Sequence, residues 1–277
     1  MAEYKFRADI EKFEASTSKY RGENALVLVD CARLSYTPEA EISEAMQEQW
    51  GFQNFQFFNG PSTQAFIAAN EEIIIVSFRG TELTWEDLKS DAKTFLVPRP
   101  YGNVHHGFSD ALQEVWAEMR DCINQFQDNK QTVWISGHSL GAALATLATA
   151  EFLLVDGGAI NGLYTIGQPR VGDGTFASNL DAACLDRNFR FVNNNDVVTR
   201  VPLPGAIRDY THVGNELYIT EGGDLRDSIS WFQKFWDREV GILHDIGEKG
   251  LDGLKDHSSD EYVRLIEKNR AVTTIWS

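Results

Sequence analysis

The sequence predicts an α/β fold, in which a central, mostly parallel sheet is covered by helices on both faces. Two observations predict it. Short runs rich in β-branched and aromatic residues alternate along the chain with longer segments of helical periodicity. The 277 residues also suffice for one large domain, and no linker divides them. We therefore expect a single domain over residues 1–277.

The elements of the first third follow from composition and turn signals. Residues 1–24 are polar and predict a loosely held, helical N-terminal arm, and the apolar run at residues 25–32 predicts a buried helix. Strands are predicted at residues 52–58, 63–69 and 73–78. The sequence Asn-Gly-Pro-Ser at residues 59–62 supplies the first turn between them.

The remaining elements alternate regularly. Residues 106–125 predict a helix because their apolar side chains recur at helical spacing: Phe108, Leu112, Val115, Trp116, Met119 and Ile123. Further helices are predicted at residues 142–154 and 174–185, and strands at residues 132–136, 162–166 and 189–193. Such alternation predicts the helical crossovers that parallel strands require.

The net charge of the chain argues against nucleic acids and anionic bilayers as partners. The chain has 25 Lys and Arg against 41 Asp and Glu, which gives a formal net charge of −16. Such a surface repels polyphosphates and anionic bilayers, so we expect no nucleic-acid partner. A neutral ester or lipid substrate, and transient contact with a neutral lipid–water interface, remain compatible. No apolar run approaches the roughly 20 residues of a transmembrane segment.

The N-terminus and the cysteines bear on localisation. The first residues lack the apolar region of a signal peptide. Cys31, Cys122 and Cys184 allow at most one intrachain disulfide, and three buried free thiols are the favoured interpretation. We expect a cytoplasmic protein or one exported without a classical signal peptide, although a removed leader would give the same sequence. No metal-ligand cluster, P-loop or dinucleotide fingerprint is present, so we expect no metal and no cofactor.

The strongest chemical signal is the pentapeptide Gly-His-Ser-Leu-Gly at residues 137–141. A β-rich run precedes it at residues 132–136, and an alanine-rich helix follows from Ala142. This is the strand–turn–helix context in which a strained serine projects its hydroxyl above the sheet of an α/β-hydrolase. Ser139 is therefore the predicted nucleophile.

A serine hydroxyl needs a histidine base and an acid that orients the histidine. Asp196 is the predicted acid because it follows the strand at residues 189–193, at the sheet edge where such folds place their sites. Three histidines follow it. We favour His257, which lies in a polar loop before the last helix, and leave His212 and His244 as alternatives.

Two backbone donors are expected to stabilise the negatively charged oxygen of the intermediate. One is the N–H of Leu140, directly after the nucleophile. The other is expected from a loop after an earlier strand, where Thr81 can offer both its N–H and its hydroxyl.

Together these motifs resemble the class 3 lipases, whose best-known members are secreted triglyceride lipases of filamentous fungi. The matching blocks, in family order, are residues 78–81 (FRGT), 104–108 (VHHGF), 137–141 (GHSLG), 167–172 (GQPRVG) and 193–202 (NNNDVVTRVP). The resemblance implies Ser139, Asp196 and His257 as the catalytic triad, and Thr81 and Leu140 as the oxyanion hole. It also implies that His138 and His106 are structural.

The resemblance further implies a lid within residues 82–96, where Leu83, Trp85 and Leu88 form a short apolar set that could contact substrate. The chain departs from the fungal pattern in residues 222–256, which are longer and predict an extra amphipathic helix before His257. That helix either packs on the sheet or walls the acyl pocket.

The expected activity is hydrolysis of a carboxylic ester, an acylglycerol, through an acyl-enzyme intermediate. A triacylglycerol lipase is thus the predicted class. Phospholipase A1 and feruloyl esterase use the same scaffold and remain the nearest alternatives. An acyltransferase using the same triad and a catalytically silent lipid-binding module are more distant ones.

Overall fold

The computed structural model describes residues 4–80, 95–194, 196–202, 210–227 and 256–273. The main sheet consists of β1 (Asn54–Asn59), β2 (Gln64–Ala69), β3 (Ile73–Phe78), β6 (Thr132–His138), β7 (Gly162–Ile166), β9 (Asn188–Asn193), β11 (Asn215–Ile219) and β12 (Leu225–Arg226). A smaller antiparallel sheet consists of β4 (Leu96–Arg99), β5 (Gly102–His105), β8 (Gly172–Asp173) and β10 (Tyr210–Thr211).

The helices of the described residues are α1 (Gly22–Leu34), α2 (Glu39–Glu44), α3 (His106–Gln113), α4 (Trp116–Phe126), α5 (Leu140–Leu154), α6 (Gly174–Cys184) and α7 (Ser259–Lys268). A π-helical turn (Ala45–Gln49) continues α2, and 3₁₀ turns lie at Ile10–Lys12 and Val198–Arg200. In this part of the chain, no helix combines the length and apolar character needed to cross a bilayer.

The main sheet is parallel at its centre and antiparallel at its edges. Its strand order is β1-β2-β3-β6-β7-β9-β11-β12. From β3 to β11 neighbouring strands run parallel, whereas β1, β2 and β12 pair antiparallel. Because parallel strands end at one edge, the residues after β3, β6, β7 and β9 converge there. The predicted fold class is confirmed.

Alternating side chains divide the interior into two cores. Ile74 and Val76 of β3 contact the core beneath α3 to α6, while Ile73 and Ile75 contact the core beneath α1 and α7. Successive side chains of a strand point to opposite faces, and both faces of this sheet are covered. This explains why β3 reads as a continuous apolar run.

The predicted helix at residues 106–125 is wrong in one respect, because the structure divides it into α3 and α4. The break falls at Glu114 and Val115, and the backbone of Val115 is not helical. The Glu114 carboxylate accepts hydrogen bonds from the N–H and hydroxyl of Ser62, at 2.8 and 2.6 Å. These bonds tie the break to the turn between β1 and β2.

The N-terminal arm also differs from expectation, since it packs along α1 and its described residues are irregular apart from the 3₁₀ turn at Ile10–Lys12. The buried carboxylate of Asp30 accepts the N–H groups of Arg7 and Ala8 at 2.6 and 2.8 Å and the guanidinium of Arg33 at 2.8 Å. Periodicity cannot reveal this anchor, because the arm is held by main-chain donors whose partner lies on another element.

The segment at residues 222–256 is described only at its ends. Residues 222 and 223 lie in the turn after β11, and Leu225–Arg226 form β12 rather than a helix. The helix predicted in the rest of this segment falls at residues 228–255, outside the described residues.

The anchor at Asp30 can be tested by unfolding. Asp30→Ala leaves two backbone N–H groups and a guanidinium without their carboxylate, so we expect it to lower the free energy of unfolding by about 3 kcal/mol. Urea denaturation at neutral pH measures this. Arg7→Ala is the control, since it removes only the half-exposed ion pair with Glu267 and should cost less than about 1 kcal/mol. A similarly small loss for Asp30→Ala would show that the arm is not anchored there.

Candidate active site

Ser139 occupies a strained turn between β6 and α5. Its φ is 59° and its ψ is −126°, a conformation that non-glycine residues rarely adopt. The two flanking glycines make the turn possible. A Cβ on Gly137 would collide with the carbonyl of Gly141, and a Cβ on Gly141 would collide with the carbonyl of Phe78. The predicted strand–turn–helix is confirmed.

The backbone around Ser139 leaves its hydroxyl available. The N–H of Ser139 donates to the carbonyl of Ile166 at 3.0 Å, which fixes the turn to β7. The Oγ is buried and has no hydrogen-bond partner among the described residues. Leu140 begins α5, so its N–H is a first-turn donor without an acceptor inside the helix. A hydroxyl and an N–H that its own helix does not use therefore lie side by side.

Asp196 and His257 meet in a direct hydrogen bond, although 61 residues separate them in the chain. The Nδ1 of His257 lies 2.9 and 3.0 Å from the two carboxylate oxygens. Asp196 follows β9 and is fully buried, while His257 lies two residues before the start of α7 and is nearly fully buried. A carboxylate can only accept, so Nδ1 carries the proton and Nε2 is left as an acceptor.

Burial alone would raise the pKa of Asp196, but its surroundings hold that pKa below the ordinary value. The largest lowering effect comes from His257. The hydroxyl of Tyr262 donates to Oδ2 at 2.6 Å, and the N–H of Val198 donates to Oδ1 at 2.9 Å. The carboxylate is therefore ionised at neutral pH and can stabilise a protonated imidazole.

His257 lies beside the nucleophile. Its ring centroid is 4.5 Å from that of His138, the residue directly before Ser139. The Nε2 of His257 is buried and has no partner within the described ranges, as is true of the Ser139 hydroxyl. An unprotonated imidazole nitrogen and a serine hydroxyl thus share one buried site, the pairing that proton abstraction requires.

The other histidines lie elsewhere or outside the description. The Nε2 of His212 donates to the carbonyl of Thr199 at 2.8 Å, so this ring has a structural hydrogen bond. His244 lies outside the described residues. His106 is partly exposed and lies 3.3 Å from Asp110, whereas its neighbour His105 is buried and caps α3 by accepting the N–H of Phe108. Of the three candidate bases, the structure brings His257 to Asp196.

Two predicted groups fall outside the described residues. Thr81, the second predicted oxyanion donor, is one. Leu83, Trp85 and Leu88 of the predicted lid form the other. The lid prediction extended to residue 96, and there the chain is described again, with Leu96 beginning β4.

Two contributors to the site escaped the sequence analysis. The helical spacing of Tyr262 marks it only as a buried residue of α7. Gly167 has a φ of +60°, and a Cβ there would lie 2.7 Å from Cε1 of His257 and 3.0 Å from Oδ2 of Asp196. The sequence Gly167-Gln168-Pro169 after a strand signals such a turn, but not what the glycine faces.

The cysteines do not compete with Ser139 as nucleophiles. Cys31, Cys122 and Cys184 are buried and free, as the sequence predicted. Burial raises the pKa of Cys122 to about 11, and burial reinforced by Asp181 raises that of Cys184 to about 12. Burial also raises the pKa of Cys31. A thiol that stays protonated is a poor nucleophile.

The fold and the site together define an α/β-hydrolase with a serine, histidine and aspartate at the edge of its sheet. The family model "Lipase (class 3)" matches residues 75–205. A secreted mono- and diacylglycerol lipase of Malassezia restricta, LIP4, is 33% identical over 159 residues, which cover 53% of this chain and 52% of that protein. The chain spans about half the length of the curated relatives it matches.

Solved structures agree with the sequence matches. The triacylglyceride lipase of Rhizomucor miehei aligns with a TM-score of 0.57 and 26% identity, covering 73% of this chain and 82% of that one. A second structure, of a triacylglycerol lipase whose catalytic centre is described as a serine protease triad, aligns with a TM-score of 0.56, 26% identity and the same coverage. Over residues 75–205 the chain therefore matches the class 3 lipase family, and the similar proteins and structures are lipases.

The space around Gly167 can be tested with a matched pair. Gly167→Ala should slow the labelling of Ser139 by a fluorophosphonate probe by about 100-fold, because the new methyl group displaces His257. Gly157→Ala is the control, since Gly157 also has a positive φ, +72°, but a Cβ there meets nothing within 4 Å. Both variants should lose about 1 kcal/mol of stability. Equal labelling rates would contradict the proposed contact.

The hydroxyl of Tyr262 should set the acid side of the pH profile. Tyr262→Phe removes a donor that lowers the pKa of Asp196. That pKa should rise, so the ionised carboxylate is lost sooner as the pH falls. We expect the acid limb of the labelling rate to move to higher pH. Tyr101→Phe removes a similar bond, to Glu151 at 2.8 Å, and should leave the profile unchanged. An unmoved acid limb in Tyr262→Phe would count against this role.

Proposed function

We propose that this chain hydrolyses carboxylic esters of acylglycerols, as a triacylglycerol lipase. The observation that carries the proposal is the buried His257–Asp196 pair placed beside Ser139 in its strained turn. The match of residues 75–205 to the class 3 lipase family and the names of the relatives support it.

In the proposed reaction, Ser139 Oγ attacks the ester carbonyl while Nε2 of His257 accepts its proton. Asp196 stabilises the protonated ring through Nδ1. The Leu140 N–H, together with Thr81, stabilises the oxyanion of the tetrahedral intermediate. His257 then protonates the departing alcohol and leaves an acyl-serine. Water, deprotonated by the same nitrogen, attacks the acyl group and releases the fatty acid.

The substrate class follows from charge and relatedness. A formal net charge of −16 disfavours anionic headgroups and suits an uncharged ester. The Malassezia relative is a mono- and diacylglycerol lipase, and the second solved structure is a triacylglycerol lipase. We infer that residues 82–96, with Leu83, Trp85 and Leu88, act as a lid that meets a lipid–water interface.

We also infer that the protein is exported. The Malassezia relative is a secreted lipase. The free cysteines of this chain do not contradict export, because each is buried with a raised pKa and is protected from oxidation.

Loss of the nucleophile or the base tests the reaction. Ser139→Ala and His257→Ala should each lower kcat on an emulsified triglyceride by about 10⁴ to 10⁶, because the two residues act as one unit. Circular dichroism should show an unchanged fold. A His257→Ala variant with near wild-type turnover would refute the assignment of the base.

A substrate panel separates the alternatives. Initial rates are compared on p-nitrophenyl esters of graded length, an emulsified triglyceride, a phospholipid and a feruloyl ester, with Ser139→Ala as the blank. The triglyceride should be turned over fastest. A preference for the phospholipid or the feruloyl ester would replace the lipase proposal by phospholipase A1 or feruloyl esterase. An alcohol added to the assay would reveal acyl transfer.

A further inference from the structure

His138 connects three separate parts of the chain. It is the last residue of β6, directly precedes Ser139 and is 5% exposed. Its Nε2 lies 2.5 Å from the backbone carbonyl of His257, and its Nδ1 lies 2.7 Å from the hydroxyl of Tyr36. Both ring nitrogens therefore have partners, one 119 and the other 102 residues away.

These partners fix one neutral tautomer of His138. A carbonyl oxygen only accepts, so Nε2 carries the proton and donates to His257. Nδ1 then accepts from the Tyr36 hydroxyl. Burial, reinforced by the nearby His257, lowers the pKa of His138 to about 3. His138 therefore stays uncharged while its neighbour gains and loses a proton.

The main chain at His257 is held at two successive carbonyls. His138 donates to the carbonyl of His257, and the side-chain amide of Asn193 donates to the carbonyl of Asp256 at 3.0 Å. Asn193 ends β9, and His138 ends β6. Two strands of the rigid sheet thus hold the backbone from which the imidazole of His257 extends.

We propose that His138 is a positioning residue, whose hydrogen bond to the main chain of His257 sets the separation between the base and Ser139. The residue that holds the main chain of the base is also the residue that directly precedes the nucleophile. His138 takes no part in bond making, because both of its nitrogens are occupied by protein groups. The inference rests on the proposed function of Ser139 and His257.

Two amide substitutions of His138 distinguish the roles of its two ring nitrogens. The amide nitrogen of Gln can occupy the place of Nε2, so His138→Gln keeps a donor for His257. The shorter Asn reaches only the place of Nδ1, so His138→Asn keeps the partner of Tyr36 but loses that donor. We expect His138→Asn to lower kcat and the fluorophosphonate labelling rate by about 10- to 100-fold, with KM changed by less than about 3-fold. His138→Gln should stay within about 3-fold of wild type.

A spectroscopic readout accompanies the rates. The proton shared by His257 Nδ1 and Asp196 gives a low-field resonance in nuclear magnetic resonance spectra. Displacement of the base should shift or broaden that resonance in His138→Asn and leave it in place in His138→Gln. Leu180→Ala, which truncates a buried side chain of α6, controls for a general loss of stability and should lower the melting temperature without changing the labelling rate.

The outcomes are distinguishable. If His138→Asn and His138→Gln lose activity equally, or if the loss in activity only follows the loss in melting temperature, the positioning role is overturned. The proposed function would still stand in that case, provided that the probe labels the wild-type protein. A wild-type protein that the probe does not label would refute the proposed function and this inference with it. If neither variant folds, His138 serves the fold and the inference is wrong.

Discussion

The close approach of two glycines, Gly137 and Gly141, is the constraint on which the rest of the site depends. It allows Ser139 a backbone conformation that costs about 1–3 kcal/mol and persists only where the surroundings enforce it. Here they do, because β6 lies between β3 and β7 at the centre of the sheet and α5 packs against that sheet with small side chains. The parallel sheet is thus the support that holds the nucleophile in a strained position.

A second constraint is the burial of a charge. A carboxylate removed from water loses several kcal/mol of solvation unless donors replace it. Asp196 receives three donors, from His257, Tyr262 and the backbone of Val198. Two of these, His257 and Tyr262, lie just before α7 and within it. The buried carboxylate therefore holds α7 and the residues just before it against the sheet. The same hydrogen bonds place His257 beside Ser139.

The sequence predicts those features of the fold and the site that depend on a local pattern of residues. The alternation of strands and helices, the glycines around Ser139 and the position of Asp196 after a strand are all legible along the chain. The break at Glu114, the anchor at Asp30 and the donor Tyr262 are not, because each depends on a partner from a distant element. His138 illustrates the limit. The family resemblance marks it as structural, but only the fold shows that its partner is the main chain of His257.

The position of α7 depends on packing more than on its ion pairs. Arg33 reaches Asp260 at 3.2 Å, but that carboxylate is 79% exposed, so the pair contributes less than about 1 kcal/mol. Val263 and Ile266 are buried in the core shared with α1, where each contributes about 1.5–3 kcal/mol. Apolar contact therefore fixes the helix, and the helix places Tyr262 on Asp196. The positions of the polar side chains in the site therefore depend on the packing of the apolar core beneath them.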